Sequence, residues 1–230
     1  MASRSVGREY LEALLVAFVF ATFARTFLFQ AFEIPTGSME KNLLVGDHIL
    51  VNKFIFGPTL FDFEKRLLPL RPVERGDVVV FRYPRDPSQD FIKRCVGVGG
   101  DLVEIVHREL VLNEKPVLDH SYTYHFGDDP LADPVGLYEV RPRDNFGPLR
   151  VPPRNSFCLG DNRDNSQDSR YWGPVPDELV KGRALLIYWS VAADDPDLEA
   201  PPRGWLDRTL RSLGRLARAT RWSRTFGMVR

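Results

Sequence analysis

Between residues 10 and 32 the sequence is apolar almost throughout, interrupted by Glu12, Arg25, Gln30 and two threonines. A helix needs ~20 apolar residues to cross the hydrocarbon core of a bilayer. This stretch qualifies, with Glu12 and Arg25 near its two ends, where long side chains reach the headgroups. The competing reading is a cleavable leader, with Arg4 and Arg8 as its basic start and residues 13 to 24 as its apolar core. The nearest small-x-small cleavage site, Thr22-Phe23-Ala24, is poor, which favours a retained anchor. With Arg4 and Arg8 held on the cytoplasmic side, everything after Phe32 lies outside.

Beyond the anchor the pattern becomes one of strands. Eighteen prolines and seventeen glycines in 230 residues favour short elements joined by turns. Apolar runs or alternations predict strands over 48–54, 77–81, 91–98, 102–106, 109–112, 116–118, 156–159 and 184–189. Short strands punctuated by Gly and Pro argue an all-β sheet assembly, not alternating βαβ units. The expected organisation is a cytoplasmic N-terminus (1–9), a transmembrane anchor (10–29) and a catalytic β-domain in two parts (30–118 and 151–190). An insertion or flap (119–150), rich in Asp, Pro, Tyr and His, separates the two parts. An acidic, Pro-rich linker (191–203) and a basic tail (204–230) follow.

The formal net charge is zero, yet from Arg203 onward eight arginines face one aspartate, a net of +7. Trp205, Leu206, Leu210, Leu213 and Ala217 share one helical face there, which reads as an amphipathic helix on an anionic lipid surface or as a basic extension without order. Nucleic acid is the weakest partner for these arginines, because the outside placement removes it. Cys95 and Cys158 sit in apolar runs without metal-ligand spacing, so they read as small buried hydrophobes; a disulfide between them stays open.

Three motifs carry chemistry. In Ile34-Pro35-Thr36-Gly37-Ser38-Met39, a serine follows a glycine on a tight turn that lets backbone approach a substrate; a helix N-cap is the bland alternative. In Asp90-Phe91-Ile92-Lys93-Arg94, a lysine stands among apolar neighbours. Burial favours its neutral form, which is a usable general base, while an edge lysine facing water is the alternative. The third, Gly160 to Gly173, is dense in Asp, Asn, Ser and Arg. It fails as a calcium loop: Arg163 and Ser166 stand at the third ligand and the turn glycine, and Trp172 at the closing glutamate. Arg–Asp pairs that stiffen a polar turn are the structural alternative.

Taken together these motifs resemble the bacterial type I signal peptidases, or leader peptidases. The resemblance runs from the anchor to Trp189 and adds Leu44-Val45-Gly46-Asp47, Val51-Asn52-Lys53, the Arg75-Gly76-Asp77 run and Gly99-Gly100-Asp101 to the three. It implies a signal-peptidase-like coiled β-sheet assembly on one transmembrane helix, and an endopeptidase that removes signal peptides from exported preproteins after small-x-small sites. It further implies Ser38 as nucleophile, Lys93 as base and Ser166 as the residue that orients the lysine. The Thr36 hydroxyl and the Ser38 N–H would form the oxyanion hole. Phe32, Ile34, Pro35, Asp90, Phe91 and Ile92 would line a substrate groove. Arg94 with Asp161, and Asp168 with Arg170, would be supporting pairs. No cofactor or metal is expected, the lipid and the exported preprotein are the expected partners, and the place is the bacterial cytoplasmic membrane with the catalytic domain outside. The rivals are a self-cleaving repressor, which needs a DNA-binding domain where the apolar span stands, and a non-catalytic β-protein that binds exported chains.

Overall fold

The computed structural model describes residues 6–56, 70–119, 121–125, 144–192 and 218–229. A helix α1 (Val6–Phe23) widens into a π-turn (Ala24–Leu28) and runs without a linker into strand β1 (Phe29–Glu33). The span Gly7–Leu28 is long and apolar enough to cross a membrane, and none of its most apolar stretch is buried against the protein. At ~1.5 Å per residue its 22 residues reach roughly 33 Å. Within it the Thr22 hydroxyl donates to Phe18 O at 2.8 Å, so this polar group is satisfied inside the helix.

The remaining strands are β2 (Asp47–Asn52), β3 (Val78–Tyr83), β4 (Asp86–Val98), β5 (Leu102–Val106), β6 (Glu109–Leu112), β7 (Lys115–Pro116), β8 (Phe146–Arg150), β9 (Asn155–Leu159), β10 (Val175–Pro176), β11 (Val180–Ser190) and β12 (Gly227–Met228). Among the described residues they form two antiparallel sheets. The larger runs β1-β2-β11-β3-β4-β9-β10 with β12 added to β11; the smaller runs β7-β6-β5-β8. The all-β expectation is met.

Strand β3 explains why 77–81 reads as an unbroken apolar run. Val78 and Val80 face a cluster with Ile34, Met39, Leu43, Ile49, Val51 and Ile187, whereas Val79 and Phe81 face another with Val73, Cys95, Cys158 and Val175. Both faces of the strand are covered, so alternation is lost. A third cluster, including Val103, Ile105, Leu110 and Phe157, joins the small sheet to the large one. Cys95 and Cys158 are free, buried and directly opposed across β4 and β9, as apolar packing predicts.

Within the interval 119–150 the described residues are tied into the domain: 146–150 form β8 of the small sheet, and Asp119 is buried in an ion pair with Arg163. The tail brings a correction. The apolar face of 205–217 lies outside the described residues, but from Arg218 to Val229 the chain returns to the large sheet as β12 instead of continuing as an amphipathic helix. Val229 is buried in the first core cluster, and Arg221 and Arg224 bond inward. Buried acceptors outcompete a lipid surface for these two arginines.

Candidate active site

Residues 34 to 47 form a loop whose ends are tied together, Ile34 N–H donating to Asp47 O at 2.9 Å and Gly46 N–H to Ile34 O at 3.0 Å. Thr36 is extended, and the chain then turns through a short 3-10 segment, Gly37–Met39. Met39 and Leu43 are fully buried and act as roots, which leaves Ser38 held at the surface of the core. On β4, Lys93 stands opposite Val79 of β3, one residue before β9 begins to cover the strand at Arg94. Register therefore brings the lysine to the place where the sheet opens.

There Lys93 Nζ lies 2.8 Å from Ser38 Oγ and 2.8 Å from Ile92 O. Lys93 is only 4% exposed and Ser38 7%. Burial pushes the lysine pKa down to about 8, against the opposing pull of Asp168 and Asp161. An amine so placed is neutral in a useful fraction near neutrality and within reach of a hydroxyl proton.

The third motif wraps both groups. Arg94 donates to both oxygens of Asp161 at 2.7 Å, to Gly76 O at 2.9 Å, and lies over the Tyr122 ring. Arg170 grips Asp168 with two bonds of 2.8 Å, and Asp168 also accepts from Gly160 N–H. The carboxylates Asp161 and Asp168 are thus committed to arginines, as the Arg–Asp reading of the motif expects. Asn162 reaches the serine loop directly, its N–H donating to Ser38 O and its side-chain amide to Gly37 O, both at 3.1 Å.

An open groove of about 640 Å³ runs past this point. Pro35, Thr36, Gly37 and Ser38 form one wall, Gln89 to Lys93 the other, and Asp164 to Gln167 with Tyr171 close it. Among the described residues no strand covers the outer edge of β4 over 89–93, the part of the strand that lines the groove. Of the residues named from the sequence, Pro35, Thr36, Asp90, Phe91 and Ile92 line it. Phe32 and Ile34 do not: Ile34 is buried in the first cluster and Phe32 packs against it. Asp90 also pairs with Lys181 at 2.7 Å. Ser166 lines the groove, its hydroxyl donating to Gln167 O at 3.4 Å, while the amine of Lys93 bonds Ser38 Oγ and Ile92 O.

Sequence reasoning missed Gly160 as a site residue. A Cβ there would stand 2.2 Å from Ser166 Oγ and 2.6 Å from Ser38 O, so only glycine lets the two serine segments meet. It also missed Asn42, whose amide donates to Asp161 Oδ2 at 2.7 Å and Tyr122 O at 3.0 Å. A glycine that opens a motif is a readable signal; an asparagine joined through space to a residue 119 positions away is not.

Residues 7–189 match the family described as signal peptidase, peptidase S26. The chain belongs to this family. Signal peptidase I of Pseudomonas fluorescens is 36% identical over 210 residues, spanning 80% of this chain and 72% of that protein. Signal peptidase I of Aquifex aeolicus is 33% identical over 230 residues, with 80% and 84% covered. A crystal structure of a signal peptidase I from Enterococcus faecalis V583 is 31% identical and covers 49% of this chain and 97% of its own, with a TM-score of 0.36. The chain is accordingly a serine endopeptidase of the kind that removes signal peptides. For this peptidase the groove and the buried serine–lysine contact are the natural place to look for the chemistry.

Proposed function

We propose that the peptidase cuts with a Ser38/Lys93 dyad. The observation that carries this reading is the 2.8 Å contact between Lys93 Nζ and Ser38 Oγ in a site dry enough to lower the amine to about 8. Neutral Lys93 takes the hydroxyl proton as Ser38 Oγ bonds to the scissile carbonyl carbon. The charge that develops on the carbonyl oxygen is received by the Ser38 N–H and the Thr36 hydroxyl, an arrangement worth a few kcal/mol in the transition state. Lys93 then gives its proton to the leaving amine, the mature chain departs, and an ester remains on Ser38. Water, deprotonated by Lys93, cleaves that ester and restores the serine. Proton, nucleophile and charge stabilisation all come from the chain itself. Ser166 is assigned to steady the amine after a rotation of its hydroxyl, whose present bond is long and easily given up. Arg94, Asp161, Asp168 and Arg170 hold the parts in register and take no part in the chemistry.

The substrate enters as a strand on the bare edge of β4, opposite Pro35 and Thr36. Ile92, which lines the groove, packs on the same cluster as Phe32 and Ile34, so these two set the depth of the floor from below. A shallow floor admits small side chains and gives the small-x-small preference. The anchor crosses the bacterial cytoplasmic membrane with its N-terminus inside, and the groove lies outside, where exported preproteins emerge. Lipid contact beyond the anchor falls to the outer sheet face, where Ala31, Leu50, Leu186 and Met228 stand opposite one another across four strands. Incubation of the detergent-solubilised protein with an exported preprotein tests the dyad. Cleavage by the intact chain and none by folded Ser38→Ala is expected; appreciable turnover by that variant overturns it.

A further inference from the structure

The family match ends at Trp189, and no step of the catalytic scheme above uses residues 218–229. Yet this segment meets the loop that carries Ser38. Asp47, which closes that loop, is fully buried, and a carboxylate sealed from water needs a cation. Arg224 supplies it, Nη2 lying 2.6 Å from Asp47 Oδ2, and the same nitrogen donates to Asn42 O at 2.7 Å. Arg221 donates to Val45 O and Val191 O. Gly46 has φ +84°, and a Cβ there would stand 2.2 Å from Val191 O, so the loop is shaped to nest against the end of β11 beside Arg221.

The far limb of the loop, residues 42–47, is therefore bonded on one side to the C-terminal segment and on the other to the active site. Asn42 is the hinge between them. Its carbonyl accepts from Arg224 while its amide donates to Asp161, the partner of Arg94. Asn42 N–H also donates to Met39 O, one residue past the serine. Resting on the dyad reading, we propose that Arg224 is a positioning residue for the peptidase reaction: it holds Asn42 so that the Ser38 loop and the Asp161–Arg94 pair stay in register with Lys93. It touches no substrate and acts only through Asn42 and Asp47.

The test uses the full-length protein in detergent with a preprotein substrate, reading kcat and KM separately beside the melting temperature. Arg224→Met is expected to lower kcat on the order of tenfold to a hundredfold, the scale of an ångström-sized misplacement at a reacting centre. KM should stay within about twofold, because the groove walls are untouched. Arg224→Lys keeps the charge near Asp47 but is one bond shorter than the arginine whose Nη2 reaches both Asp47 and Asn42, so an intermediate kcat is expected. Asn42→Ala breaks the bond to Asp161 and should lower kcat similarly. The double variant Arg224→Met/Asn42→Ala should then be no slower than the slower single, since both cut one connection. An unchanged kcat per folded molecule in Arg224→Met makes the arginine a prop for stability alone and overturns the proposal; losses that multiply in the double variant overturn it as well, because the arginine then acts by a route that does not pass through Asn42. If Arg224→Met does not fold, the same cycle run with Arg224→Lys decides by the same criteria. Ser38→Ala, assayed alongside, separates the cases: residual turnover there defeats the dyad, not the role of Arg224.

Discussion

In the proposed dyad the chemistry turns on one ammonium group that the fold makes uncomfortable. Lys93 is buried, and that burial draws its pKa to about 8. The active form is the neutral one, so kcat/KM should rise with pH to a plateau, with its half-point near 8. Below that point it should fall about tenfold per unit, leaving about a tenth of the maximum at pH 7. A profile that climbs on toward the ordinary lysine value, about 10.5, would show that burial does not tune the base. The same burial costs stability, and its sign is fixed. Unfolded, the amine keeps its proton to about 10.5, but folded only to about 8, so between those values the unfolded chain binds more protons and stability rises with pH. Below pH 8 the penalty is complete. Lys93→Met should therefore be inactive yet more stable than the natural chain near pH 6, by up to roughly 3 kcal/mol, the worth of such a shift. That gain should shrink above pH 8. Denaturant melts at pH 6 and pH 10 check it, and a variant less stable at both defeats it.

At the scale of elements, β4 does two jobs along one strand. Its second half is covered by β9, which buries Arg94 and Cys95; its first half has an open edge along the groove. If a signal peptide adds there as a strand, amides at 89–93 should exchange hydrogen more slowly in Ser38→Ala loaded with a preprotein. Protection gained elsewhere but not on this edge would place the substrate on another surface. Much of this layout was legible beforehand. Strands β2, β3, β5, β6 and β9 follow from apolar runs bounded by Gly, Pro or Asn, and the Ser38 and Lys93 motifs were picked out by residue type. β1 was not, because Phe29 and Phe32 belong to the same apolar run as the anchor and hydropathy cannot divide it. β8 was hidden among the polar residues of 119–150. β12 was hidden because Arg221 and Arg224 carry the charge of a surface helix, and only tertiary structure supplies the buried carboxylate and carbonyls that receive them. Asn42 and Asn162 were silent for a similar reason: their partners are near in space and far in sequence.

For the whole molecule, what matters is how the sheet is mounted. The helix passes into β1 with no spacer, and the joint is fastened by Lys53, whose N–H donates to Leu28 O at 2.9 Å and whose amine donates to Thr26 O at 2.8 Å. A mount without a swivel works as a ruler. If that mount stays rigid at the membrane, the height of Ser38 above the bilayer is a fixed length of protein, and it would act beside the groove's side-chain preference in choosing the bond that is cut. Two glycines inserted between Leu28 and Phe29 should leave cleavage of a short soluble peptide unchanged. With a membrane-held preprotein the same insertion should blur the cut, giving mature chains with staggered N-termini that N-terminal sequencing resolves. A single unshifted N-terminus would mean that the substrate's own side chains choose the bond and that the mount only keeps the enzyme nearby.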